Sequence, residues 1–206
     1  MEDVLDLYAE PYDPKRPVIG VDERPFQKLG EVREPLPLEP GKPKRVDSEY
    51  EREGSCCLFL AVEPKRGWRH LAVRERRTAK DFAEWMKELV DRHFPEAEKI
   101  RVVLDNLNTH TPASFYKVFP AEEARRLTQK LGFHYTPVHG SGLNVAEIEF
   151  SVLERQCLNR RIPTNEQLER EVGAWEGERN RRGVKVEWRF TTEQAREKFH
   201  RFYPKA

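Results

Sequence analysis

Three carboxylates stand where a metal-dependent reaction would need them. Val18-Ile19-Gly20-Val21-Asp22 and Ile100-Arg101-Val102-Val103-Leu104-Asp105 are apolar runs that each end on an aspartate. Runs of this kind read as strands buried on both faces of a sheet. A carboxylate at the carboxyl end of such a strand emerges at the crevice where open α/β sheets hold ligands. A third acid, Glu147, opens a helical pattern in Leu143-Asn144-Val145-Ala146-Glu147-Ile148-Glu149-Phe150. Carboxylate-rich sites suit magnesium or manganese. Two such ions about 4 Å apart clamp the attacking and leaving oxygens of a phosphodiester. The arrangement works only if the two strands are neighbours. Any one of these acids alone reads as a cap or a surface charge, so the argument rests on all three.

Two other acids compete. Glu149 lies roughly 200° around the helix from Glu147, so both cannot face one site. Glu23 follows Asp22 and points to the opposite face of its strand, as a structural or surface acid.

The elements that must position these groups follow from periodicity. Residues 1–16 are polar and proline-containing, and read as a leader. Proline-rich residues 23–54 exclude a long helix or a central strand, with a hairpin-like excursion near Gly30–Leu38. Residues 55–62 (SCCLFLAV) and 68–73 (WRHLAV) read as two paired strands around a turn at Pro64–Gly67. Thr78 and Asp81 cap a helix whose Phe82, Trp85, Leu89 and Val90 share one face. After the strand ending at Asp105 come an irregular segment with a short helix, a helix over 121–131 ended by Gly132, and a strand over 133–136. The helix carrying Glu147 buries Ala146, Phe150, Leu153 and Cys157. Further helices begin at Thr164, burying Leu168, Val172 and Trp175, and at Thr191, burying Ala195, Phe199 and Phe202. An extended segment spans 184–190. Alternating strand, helix and strand imply an α/β sheet with parallel pairs.

At 206 residues the chain holds one large domain or one with an appendage, and 37 basic residues nearly balance 36 acidic ones. Any electrostatic footprint for a polyanion is therefore local. Cys56, Cys57 and Cys157 show no Cys-x-x-Cys spacing, which disfavours a zinc ribbon or redox motif and suits a reducing compartment. No apolar stretch approaches the length of a membrane span. A cytoplasmic protein, bound to the bacterial nucleoid when on DNA, is expected.

The residues around the acids carry a resemblance. Asp105-Asn106-Leu107-Asn108-Thr109-His110 resembles the DN-x-x-x-H signature of DDE transposases of the mariner-like insertion-sequence group. Residues 139–151 (HGSGLNVAEIEFS) resemble that family's third-acid motif, and 21–27 (VDERPFQ) its first. The resemblance runs from about Pro17 to Pro204. It implies an RNase H-like mixed sheet flanked by helices, with a catalytic core over 17–160 and a C-terminal helical extension over 161–206. It implies Asp22, Asp105 and Glu147 as catalytic metal ligands for Mg2+ or Mn2+, two ions in number. The implied reaction is DNA strand cleavage and strand transfer, in which water and then a 3′-hydroxyl attacks phosphorus. The implied partners are transposon ends and target DNA, in a homodimer or with a separate DNA-binding transposase chain. The family's N-terminal helix-turn-helix region has no counterpart before Asp22, and Gly142 stands where the family has a bulky tryptophan, which is expected to loosen the loop that aims Glu147. Alternatives are an inactive remnant that binds DNA or a sister transposase, and another RNase H-like nuclease.

Basic clusters at 74–77, 159–161 and 179–182 read as phosphate contacts or as solvated helix ends. Arg160 and Arg161 are the best placed for DNA. His110 and His139 read either as DNA contacts or as groups that orient a ligand. Asn144 and Asn106 read as holding the backbone near the acids, with Asn144 also a DNA-contact candidate. Trp68, Trp85, Trp175 and Trp188 read as core.

Overall fold

The computed structural model describes residues 1–32, 49–137 and 140–200. Five strands form one mixed sheet: β1 (Val18–Glu31), β2 (Tyr50–Glu63), β3 (Trp68–Arg74), β4 (Ile100–Leu104) and β5 (Leu131–Tyr135). Their order is β3-β2-β1-β4-β5. The β1–β2 and β2–β3 pairs are antiparallel, whereas β1–β4 and β4–β5 are parallel. The strand–helix–strand passage from β3 through α2 (Ala79–Glu88) to β4 therefore joins strands that run the same way, with two others between them.

Alternation along β2 builds a core on each face of the sheet. Cys56, Leu58, Leu60 and Val62 join Val145, Phe150, Leu153, Leu168, Val172 and Trp175 on one face. Cys57, Phe59 and Ala61 join Phe82, Trp85, Met86 and Phe115 on the other. The first face is covered by α5 (Val145–Leu153) and α6 (Asn165–Arg181), the second by α2, α3 (Pro112–Val118) and α4 (Ala121–Lys130). Every residue of β4 is buried, as expected of a strand covered on both sides. All four tryptophans are in or against these cores. Thr78 and Asp81 form the expected capping box of α2, and Thr191 and Gln194 that of α7 (Thr192–Lys198).

Two expectations are corrected. Residues 1–16 are more than a polar leader. Residues Glu2–Ala9 form helix α1, and its Val4, Leu5, Leu7 and Tyr8 are buried in the first core. Positions 4, 5, 7 and 8 are a helical stripe, diluted in the sequence by the acids between them.

The proline-rich stretch after Asp22 also does not end the strand, since β1 continues through Pro25 to Glu31. β1 pairs with β4 only at Val18–Gly20, so among the described residues no strand pairs with that edge further on, where the Leu29 N–H donates to the Ile162 carbonyl. A proline is tolerated where its missing N–H faces an unpaired edge. Gly30 and Glu31 are still paired with β2. The rest of the expected excursion, to Leu38, lies outside the described residues. Gly132 lies within β5, and α4 stops at Lys130. Among the described residues no helix is long and apolar enough to cross a membrane.

Candidate active site

The strand adjacency that the two aspartates need is present. β1 and β4 pair in parallel with Val18 opposite Arg101, Ile19 opposite Val102 and Gly20 opposite Val103. Asp22 and Asp105 each follow the last of these pairs by two residues, and the charge of Asp105 acts on Asp22. Asp22 is paired on its other side with Leu60, a residue of the core beneath α5. Its side chain therefore rises on the face that carries Glu147.

Helix α5 reaches that face because Gly20 has no side chain. A Cβ at Gly20 would sit 2.4 Å from Val145 Cγ1, 2.9 Å from Asn144 Oδ1 and 3.2 Å from the Ala146 nitrogen. The helix start thus rests on the backbone of β1, two residues before Asp22. A glycine inside a strand pattern is the kind of signal that marks such close approach.

Two further side chains fix the helix start. Asn144 is the N-cap: its Oδ1 accepts the Ala146 N–H at 3.1 Å, and its Nδ2 donates to the Val21 carbonyl at 2.8 Å. The Val145 N–H donates to the Tyr8 hydroxyl at 3.2 Å. Helix α1 thereby takes up one of the orphan donors of α5. Tyr8 could not be anticipated, because its contact spans 137 residues of sequence.

The rotation of α5 is set by Glu149. This rival acid is fully buried, with Oε1 3.0 Å from Arg69 Nε and 2.6 Å from Arg179 Nε. Arg69 is itself buried on β3, and Arg179 lies on α6. Removing one partner of a buried ion cluster costs about 3–5 kcal/mol. With Glu149 locked inward, Glu147 is left to face the aspartates.

Asp22 senses the other two acids. Asp22's carboxyl is pushed up to about 6, first by burial and then by the negative charges of Asp105 and Glu147, while the Glu23 backbone N–H opposes the rise. That N–H donates to Asp22 Oδ1 at 2.8 Å. Carboxylates that repel one another in a half-buried crevice fit a divalent cation, which relieves the repulsion and accepts oxygen ligands. Among the described residues, only His70, Glu88 and His93 bring three ligand atoms within 4.8 Å of one another. The acid trio is thus more open than a closed cage, as suits ions that also take oxygens from substrate and water.

Asp105 is held from behind. His110 Nδ1 lies 2.5 Å from Asp105 Oδ1, and His110 Nε2 lies 3.0 Å from Glu23 Oε1. Burial works against the imidazolium, but the contacts with Asp105 and Glu23 outweigh it and raise His110 to about 9. The ring is therefore charged at neutral pH and bridges two carboxylates. Tyr135's hydroxyl donates to the His110 carbonyl, and Ser114's to the Thr109 carbonyl, fastening the loop. Glu23 points away from the acid crevice, as its strand position requires, and serves as His110's anchor.

The DNA-contact expectations at His110 and Asn144 are corrected. His110 is 1% exposed and Asn144 2%, so both position backbone and ligands and cannot reach a phosphate. Arg160 donates to the Cys157 carbonyl and to Glu171, and Arg161 to Glu31. Glu31 is nine residues beyond Asp22 on β1, roughly 30 Å along the strand. These arginines brace the α5–α6 connection, far from the acids. Arg179 is absorbed by Glu149, and Arg181 and Arg182 pair with Glu178. His139 lies outside the described residues. At Gly142 a Cβ would meet nothing within 4 Å. The start of the helix that carries Glu147 is held by Gly20, Asn144 and Tyr8, and its rotation by Glu149.

Comparison with known proteins agrees with this geometry. A family model described as DDE superfamily endonuclease matches residues 17–169. No curated protein matches the sequence. Among solved structures, the Mos1 transposase paired-end complex with left transposon end and the Mos1 mariner paired-end complex with Mn each match with a TM-score of 0.58 and 16% identity. Each match covers 89% of this chain and 55% of that one. The Mos1 strand transfer complex matches with a TM-score of 0.52. At this identity the likeness is one of fold, the RNase H-like sheet, and the chain spans about half the length of those relatives. The family match covers most of the chain, with Asp22, Asp105 and Glu147 inside it, and the chain belongs to the DDE superfamily endonucleases.

Proposed function

We propose that this domain cleaves DNA strands and transfers their ends, as the catalytic part of a transposase. Asp22, Asp105 and Glu147 would hold the divalent metal, Mg2+ or Mn2+, as two ions. The observation that carries the reading is the parallel β1–β4 pairing, which ends two residues before Asp22 and Asp105 on the face where Asn144 caps the helix of Glu147. The ions, when bound, supply positive charge to the attacking and leaving oxygens of a phosphodiester.

The chain's own residues do the positioning. β1 and β4 fix the two aspartates, and Asn144 and Tyr8 fix the start of α5. Charged His110 keeps Asp105 from turning away. Beside the acids, Asn106, Leu107, Asn108 and Ile148 are exposed, a surface against which a DNA backbone can lie. Mos1 solved as paired-end complexes supports assembly of this chain on transposon ends as a homodimer or with a DNA-binding transposase chain.

The test is conversion of supercoiled plasmid to nicked circles, with joining of labelled 3′-hydroxyl oligonucleotides measured alongside. Nicking should require Mg2+ or Mn2+ and fall at least about 100-fold in Asp105→Asn, the scale on which misplaced catalytic groups act. Folded wild-type protein that nicks nothing with either metal, or a variant that nicks equally, overturns the reading.

A further inference from the structure

A second cluster of ligand-type side chains lies across the sheet from the acids. His70 on β3 is paired with Ala61, which is paired with Val21. Val21 and Asp22 point to opposite faces, so this cluster sits on the α2 face and at the β3 edge, two strands from β1. Its other members are Glu88, the last residue of α2, and His93, in the single π-helical turn (Leu89–His93) that follows. Such turns are often found at functional sites.

The geometry is that of an ion site. His70 Nε2 is 3.5 Å and His93 Nε2 3.9 Å from the same oxygen, Glu88 Oε1. The imidazole centroids are 4.3 Å apart. Ligand atoms around a tetrahedral ion with bonds of about 2.1 Å stand about 3.4 Å from one another. Both Nε2 atoms are buried and lack a hydrogen-bond partner, a state that needs a reason in a folded protein.

The surroundings suit the same reading. His70 Nδ1 faces Glu176 Oε1 at 3.3 Å, and Glu176 Oε2 accepts the Leu71 N–H at 2.7 Å. A carboxylate behind a histidine is the usual outer support of a metal-bound imidazole. Arg74 Nη2 stands 3.5 Å from Glu88 Oε2, leaving Oε1 to the histidines. Arg92 Nη1 is 3.7 Å from Oε1 on an exposed side chain that can swing into water. Trp68 walls the site, its ring centroid 5.2 Å from that of His93.

We propose that His70, Glu88 and His93 bind one zinc-class divalent transition-metal ion, tying the β3 edge to the end of α2 and leaving a fourth position for water. Two imidazoles and one carboxylate suit zinc, nickel or cobalt, whereas the all-carboxylate trio on the other face suits magnesium. The two sites are thus separated by donor chemistry as well as by the sheet.

The test is zinc stoichiometry by equilibrium dialysis and elemental analysis in the full chain. An Asp22→Asn, Asp105→Asn background removes uptake by the acids. One zinc per chain is expected, accompanied by a rise in Tm that excess magnesium does not reproduce. His93→Gln should abolish both, and Glu176→Gln should weaken binding about 10–100-fold. Unfolding of His93→Gln without metal checks that it folds. Should it not fold, the visible absorption of Co2+ bound to the background protein decides: intense four-coordinate bands support the site, and weak six-coordinate bands overturn it. Absence of bound zinc, or zinc retained in folded His93→Gln, also overturns it.

Discussion

Asp22→Asn is expected to make the metal-free protein more stable while removing the site. Asp22 titrates near 3.8 when unfolded and at about 6 in the fold. The folded state therefore binds that proton more tightly. Its contribution to stability is greatest below about pH 4, declines as pH rises to about 6, and is flat beyond. A rise of about two pH units corresponds to about 3 kcal/mol of destabilisation at neutral pH, at about 1.4 kcal/mol per unit. Asparagine keeps the acceptor for the Glu23 N–H and carries no charge toward Asp105 and Glu147. For a domain of this size about 3 kcal/mol is worth roughly 6–12 °C in Tm. Thermal and urea unfolding in chelator at pH 8 and pH 4.5 measure it. The variant should unfold later at pH 8, with most of the gap closed at pH 4.5. Magnesium should raise the Tm of the wild type and leave that of the variant unchanged. If the two proteins unfold together at pH 8 without metal, Asp22 is not held among like charges and the geometry drawn for the site is wrong.

Other perturbations test the supports. Gly20→Ala places a methyl group against Val145, Asn144 and the Ala146 nitrogen. It should cost about 1–3 kcal/mol and lower cleavage about 100-fold by lifting Glu147; denaturant melts and plasmid nicking read the two effects. Tyr8→Phe leaves the buried Val145 N–H unpaired and should cost about 1–3 kcal/mol, seen in the same melts. His110 is raised to about 9 from 6.5. The stability it lends is full below about pH 6.5 and lost as pH climbs to about 9. The wild type should weaken over that window more than His110→Gln, and equal slopes would remove His110 as a charged bridge.

The acids were legible because each ends or begins a run whose period is plain: two unbroken apolar runs, the first of which ends inside β1, and one helical stripe. Their convergence was not, since it depends on β1 and β4 being neighbours, a pairing between residues some eighty positions apart. The supports were legible to different degrees. Asn144 sits in an N-cap position that the helical pattern announces. Gly20 interrupts a strand, and the reason appears only when Val145 is seen against it. Tyr8 acts from α1 on α5, and Glu149 through partners on β3 and α6, and no local pattern reveals such contacts. A basic cluster in the sequence looks the same whether it faces phosphate or an acid across the fold. Arg161 and Glu31, or Arg179 and Glu149, are neighbours only in three dimensions.

The central claim is that Asp22, Asp105 and Glu147 together hold the metal. Anomalous scattering from a crystal of the protein soaked in Mn2+ tests it most directly. The account predicts manganese density bounded by those three carboxylates, on the α5 face just beyond the β1–β4 pairing. Manganese bound elsewhere with none between Asp22 and Asp105, in a crystal where α5 rests on Gly20, would contradict it.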